Sequence, residues 1–127
     1  MEEESILKKF GRAFIADEKT FKMGIDRRIT AKIKERFKNK VVLETCTGGG
    51  FTTVALAESA AKVITIEIDG NNQDQAIKNI SEAGLTENVE FILGDCLDAK
   101  LLSRIKRIDA AFLDPDWADS NINHIYK

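Results

Sequence analysis

Three consecutive glycines break the chain directly after an apolar run, in Val41-Val42-Leu43-Glu44-Thr45-Cys46-Thr47-Gly48-Gly49-Gly50-Phe51-Thr52-Thr53. The run has no helical period, and an amphipathic segment, Val54 to Ala60, follows at once. That order predicts a buried strand, a tight turn and the start of a helix. Glycine lets the backbone turn sharply and lets a ligand come close where a Cβ would block it. Amides at the helix start then point into the vacated space. Glu44 sets a negative charge just ahead of the loop, which a phosphate site would avoid. The combination favours a ligand carrying an ammonium or sulfonium over a pyrophosphate; a plain strand-to-helix turn is the competing reading.

Downstream, Lys62-Val63-Ile64-Thr65-Ile66-Glu67-Ile68-Asp69-Gly70 reads as a second buried strand ending in acid. Glu67 lies 19 residues beyond Gly48, near the ~20-residue offset at which a dinucleotide fold places its ribose-binding carboxylate. Ion pairing at a strand end is the alternative. A helix capped by Asn71 or Asn72 should turn Ala76, Ile77 and Ile80 inward and stop at Gly84. Val89 to Leu93 forms a third strand, followed by Gly94-Asp95-Cys96. There Asp95 is placed to accept from an adenine amino group while the Cys96 amide donates to the ring, unless Gly94-Asp95 is simply a turn. Asp98 to Lys106 supplies a helix with Leu101, Leu102 and Ile105 toward the sheet, and Asp109 to Leu113 a fourth strand ending in Asp114-Pro115-Asp116-Trp117. Alternating strands and helices imply an α/β, Rossmann-like parallel sheet of four strands, order 3-2-1-4, with right-handed crossovers. Ligands bind such sheets beyond the carboxyl ends of the strands, where Glu44, Glu67, Asp95 and Asp114 all fall.

Before the sheet comes a helical N-terminal segment. Ile6, Leu7, Phe10 and Phe14 predict a helix from Glu3 to Phe14, and residues 15–24 a connection. Asp26 can cap a further helix with Ile29, Ile33 and Phe37 on one face and Arg27, Arg28, Lys32, Lys34, Arg36 and Lys38 on the other. Charge is divided unevenly. Residues 1–40 hold 12 Lys/Arg against 7 Asp/Glu, net +5, while residues 41–127 hold 7 against 14, net −7. A basic segment on an acidic domain suits a polyanion such as RNA, or is a solvated helix face. Cys46 and Cys96 lack CxxC spacing and a nearby histidine, so no metal site is expected and both read as reduced, buried residues. No apolar run approaches membrane-spanning length and no signal pattern opens the chain, which makes no membrane partner and a cytoplasmic location the expectation. His124 and Tyr126 suggest no role.

Asp114-Pro115-Asp116-Trp117 also carries chemistry. An exocyclic amine is a poor nucleophile because its lone pair is conjugated into the ring. The Asp114 carboxylate and the Pro115 carbonyl can hold its two N–H groups, aim the nitrogen and stabilise the charge that develops on it. Trp117 offers a face for base stacking, worth roughly 1–3 kcal/mol.

Glu44-x-x-x-Gly48-x-Gly50 resembles the first motif of class I S-adenosylmethionine-dependent methyltransferases, and Asp114-Pro115-Asp116-Trp117 resembles the Asp/Asn/Ser-Pro-Pro-aromatic motif of those that modify planar amino nitrogens. Together with Asp26-Arg27-Arg28-Ile29-Thr30, the Pro-x-Trp signature is most similar to trimethylguanosine synthase-like RNA guanine-N2 methyltransferases. The resemblance covers about residues 41–118 and implies S-adenosylmethionine as cofactor and RNA as partner. It implies that Glu44, Thr45, Gly48, Gly49 and Gly50 hold the methionine part, Glu67 and Ile68 the ribose, and Asp95 and Cys96 the adenine. Asp114 would lie between cofactor and target base, with Asp114, Pro115 and Trp117 as the catalytic positions. Two departures stand out. Asp116 replaces the usual second proline, and the fold normally has seven strands where this chain supplies four. The division expected is a helical segment, 1–40, and the N-terminal half of a methyltransferase domain, 41–127, whose fourth-strand edge a homodimer partner or a missing C-terminal half would cover. The alternatives are methyl transfer to another acceptor, such as a protein glutamine or a nucleotide, and a non-catalytic cofactor-binding or interaction module.

Overall fold

A computed structural model of the chain describes residues 2–115. Helix α1, Glu3–Phe10, has acids in its first turn and Lys8 and Lys9 in its last, matching the helix dipole. It ends four residues earlier than expected because Gly11 takes a left-handed conformation, φ 73°. The expected connection contains a second helix, α2, Glu18–Met23, closed at its start by a reciprocal capping box between Asp17 and Thr20. Asp26 caps α3, Arg27–Arg36, by accepting from the Arg28 amide. Ile33 and Phe37 reach the core as expected, but Ile29 is exposed.

The sheet is parallel throughout, with order β3-β2-β1-β4 as the alternation predicted. Its strands are β1 Val41–Glu44, β2 Lys62–Glu67, β3 Val89–Leu93 and β4 Ala110–Phe112. Register aligns Glu44 with Thr65 on one side and with Phe112 on the other, so the acidic strand ends share one rim. Val42 and Val63 face a core with Leu56, Ile33, Phe37 and Phe112, while Leu43, Ile64 and Ile66 face Ile92, Leu101 and Ile105. Both faces of the sheet are therefore covered, which is why its strands read as continuous apolar runs.

The three helices that follow β1 also differ from the expectation. Helix α4, Phe51–Ser59, begins at the glycine loop and is buried from Phe51 through Ala57, not amphipathic, because α3, α5 and the N-terminal aromatics enclose it. Helix α5, Gly70–Glu82, starts earlier than expected, with Asp69 rather than an asparagine accepting from the Asn71 and Asn72 amides. Its Ala76 and Ile80 are fully buried, whereas Ile77 is exposed. Helix α6 is only Ala99–Leu102; Leu101 and Ile105 still meet the sheet, and Leu102 is exposed. No helix among the described residues is long and apolar enough to cross a membrane.

The N-terminal segment is packed onto the sheet domain through aromatics. Phe10 stacks on Phe51 at 4.2 Å between ring centroids, and Phe14 lies 5.1 Å from the same ring. Asn79 on α5 secures the joint: its amide nitrogen donates to the carbonyls of Ile15 and Gly49, both at 2.9 Å, and its oxygen accepts from the Ile15 amide at 2.7 Å. One buried side chain thus ties the N-terminal segment to the glycine loop. Gly50 makes the close approach behind that loop possible. It has φ 85°, and a Cβ there would stand 2.9 Å from the Ala76 Cβ and 3.0 Å from the Ile80 Cδ1. Gly50→Ala is expected to lower unfolding stability by about 2–4 kcal/mol, combining left-handed strain with overpacking. Denaturant unfolding checks this, and a loss within 0.5 kcal/mol, on the order of an ordinary surface substitution, would contradict it.

Candidate active site

The carboxyl ends of the four strands, the glycine loop and α2 enclose a cavity of about 260 Å³. Glu44, Glu67, Asp95 and Asp114 all line it, together with Thr45, Gly48, Gly49, Ile68 and both cysteines. Four acids spread along 71 residues of sequence thus meet at one hollow. Gly50 and Pro115 are outside the lining: Gly50 faces α5, and Pro115 is exposed just after β4. Asp116 and Trp117, with His124 and Tyr126, lie outside the described residues.

Glu44 forms the floor. It is 1% exposed, and its Oε1 accepts from the Thr53 hydroxyl on α4 and from the Thr65 hydroxyl on β2, the latter at 2.7 Å. Since Thr65 has one proton and gives it to Glu44, the hydroxyl pair of Thr47 and Thr65 is oriented with Thr47 donating. Burial pushes the Glu44 carboxyl up to about 7, against the pull of both threonines and helped by the nearby Asp114 and Glu67. No cation pairs with it among the described residues. Its charge is therefore only partly developed at neutral pH, less than a bare acid beside the loop would carry. Asp114, half-buried in the cavity, is also shifted upward by burial.

Glu67 holds the loop. Its Oε1 accepts from the Gly48 amide at 2.7 Å and its Oε2 from the Asp69 amide at 3.0 Å. No cation faces it among the described residues, so the ion-pair alternative does not apply. Each carboxylate oxygen keeps a further lone pair for a ligand hydroxyl. Two loop amides are paired, Gly50 donating to the Thr47 carbonyl at 3.0 Å and Gly48 to Glu67. Gly48, with φ 57°, has no atom within 4 Å of where a Cβ would project, so the turn is open on the cavity side. Gly49 serves packing: a Cβ would lie 2.6 Å from the Phe51 ring and 2.9 Å from Gln75 Oε1. Asp95 is exposed at the mouth, its Oδ1 accepting from the Leu97 amide, so the turn reading and the cavity reading hold together. Both cysteines are half-buried in the wall, not fully buried, and burial pushes the Cys46 thiol up to about 11. Among the described residues no cluster suits a metal ion.

The sequence reading missed one wall. Lys19, Thr20 and Met23 of α2, followed by Gly24 and Ile25, close the cavity opposite the sheet. Asp17-x-x-Thr20 was the available signal, a helix start inside a stretch with too few apolar positions to show a period.

Residues 39–122 match the family described as RNA cap guanine-N2 methyltransferase. The chain belongs to that family. Among curated proteins this family member is 33% identical over 87 residues to a catechol O-methyltransferase of Mycobacterium tuberculosis, covering 66% of this chain and 39% of that protein. It therefore spans about two fifths of the length of that relative. Solved structures share the fold. An O-methyltransferase from Bacillus cereus in complex with S-adenosylhomocysteine superposes with TM-score 0.68 at 21% identity, covering 90% of this chain and 60% of that one. An RNA methyltransferase from Salinibacter ruber, also in complex with S-adenosylhomocysteine, gives 0.60 at 24% identity, covering 71% and 59%.

The shifted acid makes a pH prediction. Between the ordinary value of 4.5 and about 7, the folded chain keeps a proton on Glu44 that the unfolded chain has released. Folding binds that proton, so stability is greatest below 4.5, falls as pH rises toward 7 and is flat beyond. Asp114 adds to the fall with the same sign. The melting temperature of the ligand-free chain should drop across this window, and Glu44→Gln should remove most of the drop. A melting temperature that rises from pH 5 to 7 in the parent chain would contradict the assignment.

Proposed function

We propose that the chain is the cofactor-binding part of an S-adenosylmethionine-dependent methyltransferase that acts on the exocyclic amino nitrogen of guanosine in RNA. The observation that carries this reading is the convergence of Glu44, Glu67, Asp95 and Asp114 on one cavity beneath an open glycine turn. Family membership agrees with it, and the Salinibacter ruber and Bacillus cereus structures hold the demethylated cofactor in the same fold. S-adenosylmethionine, when bound, supplies an electrophilic methyl group on a sulfonium. The residues present suit that molecule better than a dinucleotide, because a pyrophosphate would meet Glu44, Glu67, Asp95 and Asp114 and find the Gly48 amide already held by Glu67.

Each side chain then has a task. Glu44, with Thr45, Gly48 and Gly49, faces the ammonium and sulfonium end, and the cationic ligand favours the ionised form of Glu44. Glu67, beside Ile68, accepts from ribose hydroxyls with the lone pairs left over from Gly48 and Asp69. Asp95 and the Cys96 amide take the adenine edge. Asp114 accepts from an N–H of the target amine and holds its lone pair toward the methyl group; the Pro115 carbonyl takes the second N–H. Held this way, the nitrogen would take the methyl group that a bound cofactor supplies, with S-adenosylhomocysteine as the leaving group, and the proton it then loses would pass to the Asp114 carboxylate and on to water. Trp117 is assigned the stacking face for the base. Gly50 contributes by setting the loop, not by contact. Residues 41–127 form the cofactor domain in this reading, with 1–40 as its helical N-terminal segment.

Titration calorimetry should show S-adenosylmethionine binding and no comparable heat from NAD. Methyl transfer from labelled cofactor should reach RNA rather than protein. Asp114→Ala should lower transfer at least about 100-fold, the scale of one lost charge-stabilising group, while cofactor affinity changes far less. Tighter binding of NAD would overturn the cofactor, label on protein alone would move the acceptor, and undiminished transfer by Asp114→Ala would remove the amine-holding role.

A further inference from the structure

On the far side of α2 from the cofactor cavity lies a second, more open cleft of about 480 Å³, lined by Ser5, Lys8, Lys9, Phe21 and Asp26 to Arg28. Two helices distant in sequence bring their cations together here: Lys8 and Lys9 from the last turn of α1, Arg27 and Arg28 from the first turn of α3. Lys9 is built into the wall. Its ammonium donates to the Phe21 carbonyl and sits 4.7 Å from the centroid of the Phe21 ring, and burial lowers its pKa. Arg28 is shared with Asp26, the one acid present, at 2.9 Å. Lys8 and Arg27 have no carboxylate partner among the described residues.

Two features of this cleft set it apart from an ordinary solvated face. First, Arg27 and Arg28 occupy the opening turn of a helix, where the dipole disfavours cations and favours acids; Asp26 offsets Arg28, whereas Arg27 has no carboxylate partner among the described residues. Second, the cleft is the concave part of a net +5 segment attached to a net −7 domain. A polyanion approaching the cavity is repelled by the acids of the sheet rim and attracted by the cations of this cleft.

We propose that this cleft is the seat of the phosphodiester backbone of the RNA whose base is presented to Asp114 at the mouth of the cofactor cavity. The inference rests on the methyltransferase reading for the choice of RNA over other polyanions. Only α2 stands between cleft and cavity, with Phe21 on one side and Lys19, Thr20 and Met23 on the other. A helix is about 10–12 Å across, and stacked nucleotides advance about 3.4 Å per residue of strand. The phosphates held by Lys8, Arg27 and Arg28 therefore belong to nucleotides some three or four removed from the target. A single nucleotide at the cavity mouth does not reach the cleft, whereas an oligonucleotide engages both.

The test is RNA binding, measured without cofactor on the full chain with a fluorescent 12-nucleotide single strand at several salt concentrations. Arg27→Glu/Arg28→Glu places acids where the helix dipole welcomes them, so folding is retained, and Lys8→Gln removes the third cation. The triple variant should bind the 12-mer at least about 10-fold more weakly, with a salt dependence shallower by roughly 0.7 per lost phosphate contact. Affinity for S-adenosylmethionine should stay within about twofold, and neither binding of guanosine monophosphate nor the melting temperature should change appreciably. Lys32→Glu/Lys38→Glu/Lys40→Gln, three exposed cations of the same region outside the cleft, removes the same total charge as the triple variant and should lose much less. Equal losses in both variants, an unchanged affinity in the triple variant, or no binding of the 12-mer by the parent chain at 50 mM salt, on the order of the condition where such contacts are strongest, would each overturn the cleft. Methyl transfer to RNA, scored separately, decides the enzymatic reading independently of all three.

Discussion

A carboxyl group buried in the middle of a parallel sheet is the constraint around which the rest of the site is arranged. Glu44 sits at the end of the central strand with the neighbouring strand and the following helix each donating a hydroxyl to the same oxygen. Those two bonds join β1, β2 and α4 at one atom and so fix where the glycine loop departs from the sheet. They do not neutralise the charge. Desolvation outweighs them, and the carboxyl stays near the point of protonation at neutral pH. In the proposed function a positive ligand in the cavity would offset that cost, so that a feature that weakens the empty fold becomes a source of affinity.

The loop itself is held by a second acid doing two jobs. Glu67 takes the Gly48 amide on one oxygen and the Asp69 amide on the other, joining the glycine turn to the start of α5. The same α5 carries Asn79, whose amide reaches both Gly49 and the Ile15 backbone. Cofactor loop, sheet rim and N-terminal segment are thus linked through two buried polar side chains with their partners supplied. Such networks specify one arrangement because losing any member strands the others without hydrogen bonds. The N-terminal helices belong to the binding architecture in consequence: α2 closes the cavity on one side and borders the basic cleft on the other.

Much of this was legible in the sequence, for identifiable reasons. The strand order and the gathering of Glu44, Glu67, Asp95 and Asp114 follow from apolar runs that each end in acid, alternating with helical periods. The three glycines marked a sharp turn with room beside it, but which of them is the open one, Gly48, emerged only from the fold. Other parts left no local trace. Thr53 and Thr65, 9 and 21 residues from Glu44, are polar positions in a buried helix and strand whose purpose appears only once the chain is folded. Helix α4 lacks an exposed face because its cover comes from Phe10 and Phe14 in a segment that reads as an appendage. Six residues of α2 are too few to display a period. Ile29 and Ile77 match a helical stripe and yet face outward, since a pattern of spacing says nothing about which neighbour arrives to cover it.

The claim that an under-ionised acid waits for a cationic ligand is tested most directly by proton release on binding. Calorimetric titration of S-adenosylmethionine into the chain, repeated in buffers of different ionisation enthalpy between about pH 5.5 and 7.5, reads that quantity without any assumption about the acceptor. The account predicts that binding expels a proton below about pH 7, that affinity climbs with pH toward a plateau, and that Glu44→Gln abolishes both effects. Affinity that is independent of pH in the parent chain, with no proton exchanged, would contradict it.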